Sequence, residues 1–135
     1  MTGIFIDPKE TVSFEIFVGV VEGKVFTGDN KEKLVAENKD IDKESVMSFE
    51  FVFRIPSYKD NIDMMKSSGA VTTDGETVEF DAASLRYERM VTLIQSWTLT
   101  DEEGKEISPT RENINRLHPT IAAAILDKLE EIIVF

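Results

Sequence analysis

The chain has 135 residues and no cysteine, so it can form neither a disulfide framework nor a thiolate zinc site, and it offers no thiol nucleophile. Histidine is almost as scarce. His118 stands alone, and one imidazole cannot complete a zinc triad, nor does spacing tie any serine to it as a nucleophile. There is no apolar run near the about 18 residues that a membrane span requires. A basic segment leading into a long apolar one is also missing from the N-terminus. Positive charge is in short supply, with 15 Lys and Arg against 26 Asp and Glu, a formal net charge of -11. Such a surface repels a phosphate backbone, so neither nucleic acid nor membrane is expected as a partner, whereas a basic protein surface is favoured. The lack of cysteine fits a cytoplasmic protein.

Apolar residues are not lacking. At 41% they argue against disorder, and the length suits a single domain over 1–135 with a core of two layers. Residues 1–56 read as strand-rich and 57–135 as helix-rich. Phe14, Ile16, Val18 and Val20 alternate with Glu15, Phe17, Gly19 and Val21, the period of a strand. Glu22-Gly23 predicts a turn, with Val25 and Phe26 returning as a strand. Residues 29–44 are so charged that they read as a solvated loop, with room for one helical turn. Phe49, Phe51, Phe53 and Ile55 then share one strand face, which calls for an apolar layer opposite it. Pro56 ends that strand, and Ser57 can cap a short helix through Met65 with Tyr58, Ile62 and Met65 on one side.

Asp74-Gly75 suits a hairpin turn. Asp81 looks like a helix cap, with Phe80 and Leu85 spaced as a hydrophobic staple. The helix expected near 81–95 carries Tyr87, Met90, Val91 and Ile94 as a stripe, after which Trp97 and Leu99 alternate before the turn at 101–104. Ser108 followed by Pro109 predicts a second helix start, with an end near Leu117. Pro119 can open a final helix over 119–132 in which Ile121, Ile125, Leu129 and Ile132 share a face. The resulting fold class is α+β, a small antiparallel sheet around 14–21 and 49–55 packed against C-terminal amphipathic helices, with Phe51 and Ile125 in the core.

Three segments resemble chemical motifs only superficially. Gly19 to Val25 has too short a gap between its glycines for a phosphate loop, and valine follows Lys24 where magnesium binding needs a hydroxyl. Asp40, Asp42 and Glu44 lack the central glycine and distant glutamate of a calcium loop. His118 suits a helix junction, with its ring as a local cap. No catalytic, cofactor-binding or metal-binding residue is assigned, and an enzyme is not expected. Trp97 has two open roles, a core filler with its N–H on backbone or an exposed anchor for a partner. The stripe on the last helix is likewise either core or a face shared with another chain.

From about Leu85 to Glu131, roughly a third of the chain, the pattern resembles the tail assembly chaperones of long-tailed bacteriophages. The residues that carry it are Leu85, Ile94-Gln95-Ser96-Trp97, Leu99, Gly104, Ser108-Pro109-Thr110, Asn113 and the stretch from Leu117 to Leu129. The strand-like first half departs from the mostly helical form of several members. The resemblance implies a non-enzymatic protein of the host bacterial cytoplasm, without cofactor, that binds the helical tape measure protein and supports polymerisation of the tail tube protein. It also implies a gene that often yields a frameshifted longer form. The interface expected on this ground comprises Trp97, Leu99, Ile121, Ile125, Leu129 and Ile132. Self-association through the same stripe would give a homo-oligomer. The alternatives are a structural tail component retained in the virion and a small carboxylate-dependent enzyme.

Overall fold

The computed structural model describes residues 4–7, 9–67 and 82–132, with Ile132 described in its backbone only. Strands β1 (Thr11–Val21) and β2 (Lys24–Gly28) form a hairpin, followed by helix α1 (Lys31–Glu37), a 3-10 turn (Lys43–Ser45) and β3 (Met47–Arg54). Helices α2 (Tyr58–Ser67) and α3 (Ala82–Leu93), strand β4 (Ile94–Trp97) and helices α4 (Arg111–Asn115) and α5 (Pro119–Ile132) complete the order. The strands make a four-stranded antiparallel sheet in the order β2-β1-β3-β4, packed against helices that include the C-terminal ones. The fold is α+β.

Glu22 and Gly23 both take positive φ, 51° and 80°, and Val21 pairs directly with Lys24. Those dihedrals give a two-residue turn whose twist matches its strands. Phe14 lies opposite Phe51 and Ile16 opposite Phe49, so the aromatics and aliphatics of two strands fall on one side of the sheet. Phe14 stacks on Phe51 with centroids 5.5 Å apart, and Phe51 meets Trp97 of β4 edge-on at 6.2 Å. Onto this face pack Leu85, Met90 and Leu93 of α3, Ile114 of α4, and Ile125 and Leu129 of α5. Phe51 and Ile125, each 0% exposed, are at the centre of the core.

The charged stretch at 29–44 departs from the loop expected of it. Asn30 accepts a hydrogen bond from Lys33 N at 3.1 Å and caps α1, while Leu34 and Ile41 are buried. These two anchors fix the segment against the hairpin, Ile41 at Gly19 and Leu34 at Gly28. Ile41 rests on Gly19, where an added Cβ would lie 2.9 Å from both its Cδ1 and its Cγ2. Gly19 is therefore the seat for a side chain from a distant loop.

Further corrections are local. In α2 the buried residue is Met64, whereas Tyr58 is 82% exposed, because the helix turns a face one position away from the expected stripe towards the core. Helix α3 stops at Leu93 and the chain passes straight into β4, since Ile94 and Trp97 pair with Phe53 and Phe51. Helix α4 is capped by Thr110, not Ser108; Thr110 Oγ1 accepts from Asn113 N at 3.2 Å, while the Asn113 side chain turns back to the Ser108 carbonyl. Strand β4 and helix α1 also blur the division into a strand-rich and a helix-rich half. The expected hairpin at Asp74-Gly75 and the Phe80 and Asp81 helix start lie outside the described residues.

Ser57 opens α2 through a reciprocal cap. Its Oγ accepts from Asp60 N at 3.2 Å, and its own N donates to Asp60 Oδ2 at 2.8 Å. Arg54, at the end of β3, donates to the same oxygen at 2.5 Å. Burial pushes the Asp60 carboxyl up, but the Arg54 and Ser57 hydrogen bonds outweigh it and leave the group below its ordinary value.

Gly19→Ala should destabilise the protein by about 1–3 kcal/mol through overpacking. In a double-mutant cycle with Ile41→Ala, a coupling of at least about 0.5 kcal/mol is expected in urea denaturation, and strict additivity would remove the seat argument. For Asp60 the depressed folded value fixes the sign: its contribution is complete above the unfolded carboxylate range near about 4, and is lost as pH falls through the folded value. The stability gap between wild type and Asp60→Asn should thus be widest near neutral pH and close in acid. A gap independent of pH would contradict it.

Candidate functional site

Four of the six residues expected at an interface are buried in the chain's own core. Trp97 and Leu99 are only 7% and 8% exposed, and Ile125 and Leu129 are fully buried. Ile121 is half-buried against the same core, and the side chain of Ile132 is outside the described set. The cause is the sheet. Its aromatic face has to be covered, and the apolar stripe of α5 covers it. In this state the stripe is therefore core and not an open partner face.

The neighbourhood of Trp97 does hold a surface groove of about 300 Å³, but its second wall comes from α4 and the segment before it. Trp97 and Leu99 form the inner side, Ile107 and Leu117 the apolar flanks, and Asp101, Asn113 and Arg116 the polar edge. The indole N–H of Trp97 donates to the Ile107 carbonyl, and Ile107 N donates to Leu99 O at 3.0 Å. The Asp101 carboxylate accepts from the backbone N of Glu103 and of Lys105 at 2.8 and 3.0 Å, holding the acidic turn at the groove mouth. Behind it, Arg111 lies 5.4 Å above the Tyr87 ring and pairs with Glu88, which raises its already high pKa. The pair fixes α4 against α3.

A larger cleft of about 380 Å³ lies between α1 and α5. Thr120, Ala123, Ala124 and Asp127 of α5 line one side, Lys33, Leu34 and Glu37 of α1 the other, with Ile16 and Gly28 below. Lys128 Nζ spans it to Asp29 at 3.0 Å and also meets Glu131 at 3.3 Å. The Asp29 hydrogen bond is the main reason its pKa is raised, against a smaller opposing effect of burial. Sequence reading missed this cleft. Its linear signal is Ala123-Ala124, which gives α5 little bulk on the flank that lines the cleft.

His118 sits at the junction foreseen for it. Its Nδ1 accepts from Thr120 N at 3.2 Å and its carbonyl accepts from Ala122 N at 3.0 Å, so the ring caps α5. Asp42 caps the 3-10 turn through Glu44 N at 3.1 Å. Gly19 to Lys24 is strand and hairpin turn. Among the described residues no group of three or more histidines or carboxylates is placed to hold a metal ion, and no helix is long and apolar enough to cross a membrane. Compared with known protein families, curated proteins and solved structures, the chain matches none.

Trp97→Phe keeps an aromatic ring but removes the pyrrole half of the indole and leaves the Ile107 carbonyl without its donor. The expected cost is about 1–2 kcal/mol, read by circular dichroism in urea. A change below about 0.3 kcal/mol would mean that water replaces the indole without loss and that this bond does not hold the groove wall.

Proposed function

We propose that the protein is a non-enzymatic binding protein of the tail assembly chaperone kind, acting in the host bacterial cytoplasm on a helical tape measure protein before tail tube subunits replace it. The observation that carries the reading is the Trp97 groove. It has apolar flanks at Ile107 and Leu117, a polar edge, and lies within the segment from Leu85 to Glu131 whose pattern resembles those chaperones. Helix-in-groove recognition needs aliphatic walls and a polar rim, and a groove of this size takes one or two side chains of an amphipathic helix. Transient cover of apolar helical surface suppresses aggregation, and a net charge of -11 keeps such a complex dispersed.

This reading differs from the stripe-based one in its contact residues. Ile125 and Leu129 support the sheet, while Trp97, Leu99, Ile107 and Leu117 present the groove. Co-expression with each tail protein, followed by pull-down and solubility measurement, is the direct test. The tape measure protein should co-purify and gain solubility, and Leu117→Lys should reduce both without unfolding the chain. No gain in solubility, or stoichiometric presence of this protein in mature particles, would overturn the proposal and favour a retained structural component.

A further inference from the structure

We propose that the cleft between α1 and α5 is a docking site for a basic segment of another protein that carries aliphatic side chains. The site is separate from the Trp97 groove and does not depend on the tape measure reading. Its shape follows from where α5 spends its bulk. Ile125 and Leu129 point to the sheet, so the flank towards α1 is left to Thr120, Ala123 and Ala124. Alanine at these positions cannot reach Leu34 across the gap, and Gly28 adds no side chain below. The result is a trough of about 380 Å³, large enough for aliphatic side chains from one turn of a helix.

Charge selects the occupant. The rim carries four carboxylates, Asp29, Glu37, Asp127 and Glu131, against two lysines, Lys33 and Lys128. Lys128 is already engaged with Asp29 and Glu131, and Asp127 has Arg86 at 3.9 Å on its outer side. With four carboxylates against two lysines the rim remains net negative. An acidic segment would meet like charge on both edges, and a purely polar cation would leave the alanine flank wet. A segment with lysine or arginine beside leucine or isoleucine satisfies both the rim and the trough.

The test uses the full chain and three labelled amphipathic peptides: leucine with lysine, leucine with glutamate, and glycine with lysine, each followed by fluorescence anisotropy. Only the leucine–lysine peptide should bind, more weakly as salt is raised. Ala123→Leu fills the trough from an exposed helix position and should weaken binding at least about tenfold, as a filled pocket does. Glu131→Lys should weaken it several-fold more than Glu102→Lys, which makes the same change of net charge on the distant acidic turn. Leu117→Ala, in the Trp97 groove, should leave this affinity unchanged. The proposal is overturned if Ala123→Leu binds like wild type with its circular dichroism intact, if the two charge reversals cost the same, or if either control peptide binds equally well.

Discussion

The structure depends on covering one sheet face. Phe14, Phe51 and Trp97 bring rings from β1, β3 and β4 into contact, and Ile16, Val18 and Phe53 extend the same surface. A sheet with that face exposed would have no route to a stable state in water, because several large apolar side chains would each forgo about 1.5–3 kcal/mol of burial. The helices arrange themselves around this demand. Helix α5 gives Ile125 and Leu129 to it outright and Ile121 in part, and α3 gives Leu85, Met90 and Leu93 before converting into the strand that closes the aromatic row.

That commitment limits where function can reside. A helix whose apolar face is consumed by its own sheet cannot offer the same face to a partner without opening the fold. Binding surfaces must therefore lie at seams, where two elements meet imperfectly. The Trp97 groove is one seam, between the end of β4 and α4, and the alanine-lined cleft is another, between α1 and α5. The Trp97 groove is pinned by backbone hydrogen bonds, and the helices that frame the cleft are capped at Asn30 and His118, although Lys128 reaches across it. This favours pre-formed recognition over recognition that must first order a loop.

Much of the architecture was legible because two periods are hard to mistake. Alternation at Phe49 to Phe53 and at Phe14 to Val20 fixes strands and their inward face, and Pro119 followed by Ile121, Ile125 and Leu129 fixes the last helix. Helix α1 was not legible. One apolar anchor, Leu34, among charges leaves no periodicity to detect, and its cap at Asn30 resembles any loop asparagine. The candidate sites were less legible still. The groove joins 97–99, 107 and 113–117, and the cleft joins β2, α1 and α5, so neither exists in any window of sequence. The burial of Trp97, Leu99, Ile125 and Leu129 was not legible for a related reason. Periodicity identifies which residues share a face, but only the packed structure tells whether that face is turned to a partner or to the chain itself.

The distribution of positive charge carries the argument about partners further than its total. Arg54 ties β3 to α2, Arg86 ties α3 to α5, Arg111 ties α4 to α3, and Lys128 ties α5 to the start of α1. Apart from the part-buried Arg54–Asp60 pair, such pairs each add only about 0–1 kcal/mol, so their sum is a minor part of stability. Their consequence for the surface is larger. Each intramolecular pair neutralises a cation that the chain can hardly spare, and the rim of the cleft between α1 and α5 is left with four carboxylates against two lysines. A basic partner would then gain both a steered approach and fixed orientation from charge, while the apolar floor of the seam it enters supplies the discrimination between one basic segment and another.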